Sequence, residues 1–328
     1  MDRFSNDILK TIRRYGLIKP GQDVIVGFSG GADSVCLLYV LKELRRILPI
    51  GSLTALHVNH NLRGEEALRD EAFSREFCRE QGIDFISVSV DVNGLASSLG
   101  MSTEEAGRKL RYDALRDNCR DGGVIATAHH ADDSAETILL NLARGTGLKG
   151  AGGIRPRRDN IIRPLIFTGK EEILDYVEKK GLSYVTDSTN LSNDYTRNAI
   201  RNMILPLFRE HVNLRTSKHL LEFGMYCEEA DDYFTHAANE YLDNYAKISD
   251  TEVKINKNEL KEKPQILRRY VIIEALRRLG IPLKDLGGLH FGAVDDALFA
   301  GNGFHADLPG AVCVKNIHRE TCILLRED

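Results

Sequence analysis

A short stretch of small and polar residues, 29–34 (SGGADS), separates two apolar segments near the start of the chain. The run 24–28 before it is typical of a buried parallel strand, and leucines at helical spacing after it predict a helix that begins near Asp33. Backbone N–H groups at a helix N-terminus bind anions, and glycines let a ligand approach the backbone. The stretch has the composition of a phosphate-binding loop, although a tight turn capped by Asp33 or Ser34 would explain a bare pair of glycines. It is neither a Walker A loop nor the Gly-x-Gly-x-x-Gly fingerprint of dinucleotide-binding proteins.

A second group of polar side chains follows the apolar run 53–58. Its members lie at or beyond the end of that predicted strand: His57, Asn59, His60 and Arg63. A lone histidine in such a place is most often a solvated loop residue. Because ligands of open parallel sheets bind beyond the carboxyl ends of the strands, we expect this group at the same edge as the phosphate loop.

A third group follows the run 123–127 and contains two histidines and three acids in the sequence AHHADDSAE. On a helix that starts near Asp132, Asp133 and Glu136 are three residues apart and share one face. Carboxylates in this position could hold Mg²⁺ on nucleotide phosphates or orient an incoming amine. A helix cap explains one of the acids, but it leaves the others and the histidines unexplained.

A pair of arginines, Arg108 and Arg111, has the same helical spacing in the segment TEEAGRKLRYDAL. Surface arginines are usually solvated, so only a neighbouring phosphate site would make these two a clamp for phosphate oxygens.

Apolar runs at 24–28, 53–58, 84–90 and 123–127 alternate with helical patterns at 33–48, 65–81 and 103–120. This alternation predicts an α/β fold, a doubly wound parallel sheet covered by helices on both faces. The pattern becomes mainly helical after about residue 210. We therefore predict a catalytic domain over 1–215 and a second, mainly helical domain over 216–328, which ends in two short strands at AVCVKNI and CILL.

The chain has 328 residues, a net charge of −4 and 42% hydrophobic residues, which is typical of a globular protein of about two domains. The first residues lack the apolar core of a secretory signal, and no run is long enough for a membrane helix. The six cysteines form no Cys-x-x-Cys pair, which argues against a zinc or iron–sulfur site. These features predict a cytoplasmic protein with reduced thiols. They leave a monomer and a homodimer open as alternatives.

Six segments in order carry a resemblance to a known family: the loop SGGADS, HVNHNLRGEEALRDE, EEAGRKLRY, AHHADDSAETILLNLARGTGLKG, IIRPLI and DSTNLSNDYTRNAIRNMILPLF. The loop resembles the pyrophosphate (PP) loop of enzymes that split ATP into AMP and pyrophosphate. Together the segments, over about residues 20–210, resemble the tRNA(Ile)-lysidine synthetases. Larger members of that family carry a further C-terminal domain, for which we expect 328 residues to be too few. A natural short form of the family and a truncated chain are the two alternatives.

The resemblance implies an ATP-dependent C–N ligase that acts on the CAU anticodon of a minor isoleucine tRNA. O2 of the wobble cytidine would attack the α-phosphate of ATP, and the ε-amino group of L-lysine would then displace AMP at C2 to form lysidine. ATP and Mg²⁺ are the implied cofactors. A cytidine inside a stacked anticodon must first be splayed out.

The resemblance also implies roles for individual residues. ATP would be bound by Ser29, Gly30, Gly31, Ala32, Asp33, Ser34, His57, Asn59 and His129. Catalysis would depend on Asp33, Arg108, Arg111, Asp133, Glu136 and Arg201. Mg²⁺ would be held by Asp33, with Asp133 as either a metal ligand or a partner of Glu136 in binding and deprotonating lysine. Arg197 and Arg201, four residues apart on a helix, would face the tRNA phosphates or the cytidine.

Two basic segments are candidates for binding the rest of the tRNA. The first is the turn with Arg155, Arg157 and Arg158, and the second is in the helical domain with Arg268 and Arg269. Either segment could instead be a solvated charged face.

Two other functions share some of these features. A tRNA 2-thiolation enzyme would use the same adenylation chemistry, but it would need sulfur-carrying cysteines. A non-catalytic nucleotide sensor would have no use for Asp133, Glu136, Arg197 and Arg201.

Overall fold

Four apolar segments form the parallel strands at the centre of a six-stranded sheet. The strands are β1 (Val24–Gly27), β2 (Leu53–Asn59), β3 (Asp84–Ser89), β4 (Val124–Ala126), β5 (Arg157–Arg158) and β6 (Ile161–Ile162). Their order is β3-β2-β1-β4-β6-β5, and only β5 runs antiparallel to its neighbour. The predicted doubly wound sheet is therefore confirmed. Val24 pairs with Leu53 on one side and Val124 on the other, so the strand order reverses between β1 and β4.

The computed structural model describes residues 1–60, 65–186, 196–283, 286, 288–301, 303–309, 312–318 and 321–326. The chain divides into two compact units, Met1–Tyr226 and Cys227–Asp328. This division lies later than the boundary that the sequence suggests near residue 215. None of the helices in the described part of the chain is long and apolar enough to span a bilayer.

Helices cover the sheet of the first unit. They are α1 (Arg3–Arg14), α2 (Ala32–Leu44), α3 (Glu65–Gln81), α4 (Val92–Leu99), α5 (Thr103–Asp117), α6 (Ala131–Arg144), α7 (Leu148–Ala151), α8 (Lys170–Lys179), α9 (Thr196–Ala199), α10 (Leu205–His211) and α11 (Thr216–Tyr245), which continues into the second unit. A π-helical turn, Ile200–Ile204, joins α9 to α10. The predicted helices at 33–48, 65–81 and 103–120 correspond to α2, α3 and α5.

The core of the first unit forms where α2 packs on β1. Val24 and Val26 of the strand and Leu37 and Leu41 of the helix are at most 1% exposed. Burial of one such side chain stabilises the fold by about 1.5–3 kcal/mol. This packing fixes the junction between β1 and α2, where the candidate phosphate loop lies.

The second unit combines helices with an antiparallel sheet. The helices after α11 are α12 (Lys257–Lys261), α13 (Gln265–Arg278) and α14 (Gly288–Phe299), and the strands are β7 (Ala246–Ile248), β8 (Glu252–Asn256), β9 (His305–Leu308), β10 (Val312–His318) and β11 (Thr321–Arg326). The sheet order is β7-β8-β11-β10-β9. The two predicted C-terminal strands are β10 and β11. The sequence analysis missed the other three strands, so the unit is less purely helical than expected.

Candidate active site

The loop between β1 and α2 has the geometry of an anion-binding turn. Gly31 is the N-cap of α2, and no described side chain caps this helix end. Instead, the Ser34 hydroxyl donates to the Gly31 carbonyl at 2.9 Å. Neither Asp33 nor Ser34 is therefore a helix cap, and the alternative of an ordinary capped turn is wrong. The uncapped helix end leaves backbone N–H groups for a ligand.

Gly30 is required in this loop for two reasons. Its φ of +82° lies in the left-handed region, which side chains with a Cβ rarely adopt. A Cβ at this position would also lie 3.0 Å from Val185 Cγ2 and 3.1 Å from Ser74 Oγ. Val185 N–H donates to the Gly30 carbonyl at 3.0 Å, so the chain after α8 holds one side of the loop.

His57 and Asn59 support the loop from within the sheet. Both lie inside β2 and are buried, at 6% and 4% exposure. His57 Nδ1 is 3.0 Å from the carbonyl oxygen of Phe28, the residue just before the loop. Burial lowers the pKa of His57, which favours the neutral imidazole. Asn59 is the last residue of β2, as the sequence analysis expects, and His57 lies two residues before it. The Asn59 side chain also donates to Glu71 on α3.

The acids of α6 face the arginines of α9 and the π-helical turn. Arg201 Nε donates to Glu136 Oε1 at 2.6 Å, and its Nη2 donates to Asp133 Oδ1 at 3.0 Å. Arg197 Nε donates to Glu136 Oε2 at 2.9 Å. Asp133 and Glu136 therefore share a face, as their spacing predicts. The spacing does not reveal that the two predicted substrate-facing arginines occupy these acids.

The burial of this cluster determines its charge state. Glu136 is 1% exposed, whereas the two arginines remain about one-third exposed. Burial opposes ionisation of Asp133, but neighbouring His130, through its ring and its backbone N–H, and the guanidinium of Arg197 lower its pKa below the ordinary value for aspartate. The cluster is thus an acid–arginine network with buried carboxylates and one side open to solvent.

Two histidines connect this network to the phosphate loop. His130 Nε2 lies 3.4 Å from Asp133 Oδ2 and 3.8 Å from Asp33 Oδ2, so the acid of the loop and the acid of α6 flank one imidazole. His129 Nδ1 lies 2.9 Å from Thr127 Oγ1. Burial lowers the pKa of His129 to about 3, and the positive charges of Arg163, Arg108 and Arg111 contribute. Arg108 and Arg111 are therefore close enough to act on His129, although both side chains are exposed.

The sequence analysis missed two residues of the site, Lys170 and Arg209. Lys170 Nζ donates to Asp33 Oδ1 at 2.6 Å. Arg209 of α10 donates to Asp132, which is 6% exposed and also accepts the Lys170 backbone N–H at 2.9 Å. No local spacing links Lys170 to Asp33 or Arg209 to Asp132, because the four residues lie on four different helices. The one sequence signal is that Lys170 soon follows the quoted segment IIRPLI.

The two basic segments differ in how their side chains are used. Arg157 donates to the carbonyls of Gly16 and Asp159, whereas Arg158 on β5 is exposed. Arg155 is half-buried. In the second unit, Arg268 forms a two-pronged ion pair with Asp295 at 2.5 and 2.8 Å, with its side chain 12% exposed.

Arg269 is exposed and lies over the ring of Phe291. Arg63 and the segment 187–195, which includes the predicted DSTN motif, lie outside the described residues.

A glycine-rich loop after the first strand and acids after the fourth, on both sides of the point where the strand order reverses, define a PP-loop protein. The family model of the PP-loop domain matches residues 2–208. The tRNA(Ile)-lysidine synthase of Caldanaerobacter subterraneus subsp. tengcongensis is 36% identical over 89% of this chain and 62% of its own length. That of Clostridium tetani is 34% identical over 98% of this chain and 69% of its own length. The chain belongs to the tRNA(Ile)-lysidine synthase family, and it spans less than two thirds of the Caldanaerobacter relative.

One solved structure supports the fold. The U34-tRNA thiolase NcsA from Methanococcus maripaludis, with its [4Fe-4S] cluster, matches with a TM-score of 0.55 and 24% identity over 68% of this chain and 77% of its own. At this level of identity the likeness concerns the fold alone.

Proposed function

We propose that this chain ligates L-lysine to C2 of the wobble cytidine in the CAU anticodon of a minor tRNA(Ile), with ATP converted to AMP and pyrophosphate. The observation that carries the proposal is the position of His130 between the acid of the phosphate loop and the acid of α6. It supports a single site in which an activated phosphate and an incoming amine can meet. Members of the chain's family bear the name of this reaction.

In the first step, O2 of the cytidine attacks the α-phosphorus and the bond to the β-phosphate oxygen breaks. The N–H groups of the loop bind phosphate oxygens, and Arg108 and Arg111 supply positive charge where negative charge develops. His129 is neutral at physiological pH, because its pKa is about 3. It therefore serves as a hydrogen-bonding group and adds no cation to the site.

In the second step, the ε-amino nitrogen of lysine attacks C2, the C2–O bond breaks, and AMP leaves. The amine must lose protons before and during attack. Asp133 and Glu136 are the acids that we assign to holding the ammonium group and accepting a proton. Both form ion pairs with Arg197 and Arg201 in the structure. We assign these arginines to binding of the cytidine or its phosphates. In this role both guanidinium groups must leave the carboxylates of Asp133 and Glu136 and bind the tRNA.

A magnesium ion would fit this site through the nucleotide. Among the described residues, no group of three or more side chains is arranged to hold a metal by itself. Mg²⁺ usually binds through one or two carboxylates together with substrate phosphates and water. Asp33 and Asp133, which flank His130, provide carboxylates of that kind. When bound, the ion would neutralise charge on the phosphates.

Thiolation of the tRNA is the weaker alternative. Cys36 and Cys78 lie in the described helices α2 and α3 and are both fully buried. Burial raises the pKa of the Cys78 thiol to about 12, so neither position resembles a reactive thiolate. An iron–sulfur absorption band in the purified protein would favour thiolation.

The central test supplies the chain with ATP, Mg²⁺, radiolabelled L-lysine and an isoleucine tRNA transcript with a CAU anticodon. We expect label in the tRNA and one pyrophosphate released per lysine attached. A methionine tRNA transcript with the same anticodon is the control for substrate choice. Intact ATP binding without transfer of label to the isoleucine transcript would overturn the proposal.

A further inference from the structure

Lys170 reaches the phosphate loop from a distant part of the chain. It is the first residue of α8, and its Nζ donates to Asp33 Oδ1 at 2.6 Å. Both side chains are about one-third exposed, so the pair lies at the open side of the site. The loop 29–34 itself contains no cationic residue. Lys170 therefore brings a positive charge to a loop that has none of its own.

The backbone of Lys170 is fixed more firmly than its side chain. Its N–H donates to Asp132 Oδ2 at 2.9 Å, and Asp132 is also bound by Arg209. Arg209 in turn donates to the Ser217 hydroxyl at 2.9 Å. The base of the lysine is anchored to α6, α10 and α11, while four methylene groups allow the ammonium group to move.

We infer that Lys170 is a phosphate-binding residue, which exchanges its ion pair with Asp33 for the polyphosphate when ATP binds. A triphosphate offers several anionic oxygens, whereas Asp33 offers one negative charge in a half-solvated position. The ammonium group therefore has a stronger partner in the nucleotide. Its movement also releases the Asp33 carboxylate from this ion pair, with His130 still beside it. Binding of ATP phosphates by Lys170 follows from its place at the PP-loop. Any effect of Lys170 on the release of pyrophosphate rests on the proposed function.

The test compares Lys170→Ala with Lys170→Arg, which keeps the charge, and Lys170→Gln, which keeps most of the stem. Lys179→Ala is the matched control, since Lys179 lies on the same helix and pairs with exposed Asp175. The affinities for a non-hydrolysable ATP analogue and for AMP are measured by calorimetry. The folded state is checked by circular dichroism.

We expect Lys170→Ala and Lys170→Gln to weaken binding of the ATP analogue about 10- to 100-fold, as for loss of a charged hydrogen bond. Binding of AMP should change less than about 3-fold, because the contact is to the phosphates that AMP lacks. Lys170→Arg should restore most of the affinity, and Lys179→Ala should resemble the unmodified chain. Unchanged affinity of folded Lys170→Gln for the analogue would overturn the inference.

The outcome separates this inference from the proposed function. If the unmodified chain attaches no lysine to tRNA but loses analogue affinity on Lys170→Gln, the proposed function fails and the inference stands. If the unmodified chain attaches lysine and Lys170→Gln changes neither analogue affinity nor pyrophosphate release, the inference fails alone.

Discussion

Arg201 binds Glu136 with two guanidinium nitrogens, Nε to Oε1 at 2.6 Å and Nη2 to Oε2 at 2.9 Å. The carboxylate is 1% exposed, and the guanidinium is about one-third exposed. Removal of the cation from a buried carboxylate strongly destabilises the fold. Because the guanidinium is partly exposed, another cation can take its place. The pair is therefore suited to an acid that must accept the ammonium group of a substrate.

The strength of this pair can be measured by a double-mutant cycle. We expect Glu136→Gln and Arg201→Gln to show a coupling of about 1–3 kcal/mol in the free energy of unfolding. The exposed pair Asp175–Lys179 is the control, with an expected coupling of about 0.3–0.5 kcal/mol. Denaturant titration gives both values. Equal coupling in the two pairs would show that burial does not strengthen the Arg201–Glu136 contact.

Asp33 should be essential for the first chemical step. We expect Asp33→Ala to abolish pyrophosphate release, since the loop loses the carboxylate available to a nucleotide-bound metal and the partner of Lys170. Thermal unfolding checks that the variant is folded, and the control is Asp175→Ala on the exposed face of α8. Pyrophosphate release at a near-native rate would show that Asp33 has only a structural role.

Stability should decrease in mild acid because of His129. Its pKa is about 3 in the folded chain and about 6.5 ordinarily, so below pH 6.5 the unfolded chain binds a proton that the native state excludes. The free energy of unfolding therefore decreases as the pH falls from 6.5 towards 3. The contribution of His129 to this decrease is up to about 1.4 kcal/mol per pH unit.

We expect His129→Gln to flatten the pH dependence between pH 6.5 and 4.5. Urea unfolding at several pH values checks this expectation. His211→Gln, exposed at the end of α10, is the control and should leave the slope unchanged. Parallel pH profiles for His129→Gln and the unmodified chain would mean that His129 does not exclude the proton.

The two basic segments make different predictions for tRNA binding. We expect Arg158→Ala to raise the KM for tRNA, with the KM values for ATP and lysine unchanged, because its side chain is exposed on β5. Each lost phosphate contact should reduce the slope of log K against log salt by about 0.7–0.9. Arg269→Ala should have the same effect if the second unit also contacts tRNA. An unchanged KM and an unchanged salt slope for both variants would show that these arginines are solvated surface residues that do not contact tRNA.

Arg268 should behave differently from its neighbour. The sequence analysis grouped it with Arg269 as a tRNA contact, but its guanidinium is held by Asp295 and by the Lys263 carbonyl. We expect Arg268→Ala to lower the free energy of unfolding by about 1–3 kcal/mol, because a mostly buried Asp295 loses its charged partner and keeps the neutral amide of Gln265. A variant with native stability and weakened tRNA binding would instead support the prediction that Arg268 contacts tRNA.

Gly30 should tolerate no side chain. We expect Gly30→Ala to cost about 1–3 kcal/mol and to weaken ATP binding, since φ is +82° and Val185 occupies the space. Gly82→Ala isolates the backbone term, because Gly82 has φ +64° and nothing lies within 4 Å of the new Cβ. Native ATP affinity in Gly30→Ala would show that the loop can relax around a methyl group.

Elements with a strong local signal could be predicted from the sequence. The apolar runs of β1, β2, β3 and β4 and the helical pattern of α3 were identified with small errors at their ends. The strands β5 and β6 have two residues each and carry no measurable periodicity. The strands β7 and β8 are short and rich in charged residues, and their pairing with other strands is what defines them.

The candidate site shows the same limit. The spacing of Asp133 and Glu136 predicts their shared face, because three residues of a helix are a local distance. Lys170 and Asp33 are 137 residues apart, and only the folded sheet brings them together. Long-range charge pairing of this kind leaves no periodic trace, so a single sequence reveals the acids and bases but not which of them meet.

The π-helical turn between α9 and α10 determines which way Arg209 points. Arg201 and Arg209 are eight residues apart, which in a regular α-helix separates two side chains by about 80° around the axis. One inserted residue brings them to within about 20°, so both can face α6. Deleting Met203 would leave the two arginines seven residues apart, a spacing that a regular α-helix also places within about 20°, so Arg209 would still face Asp132. The segment can thus lose one residue by reverting to a regular α-helix, and we expect relatives to differ here by the presence or absence of the π-helical turn while both arginines keep their direction.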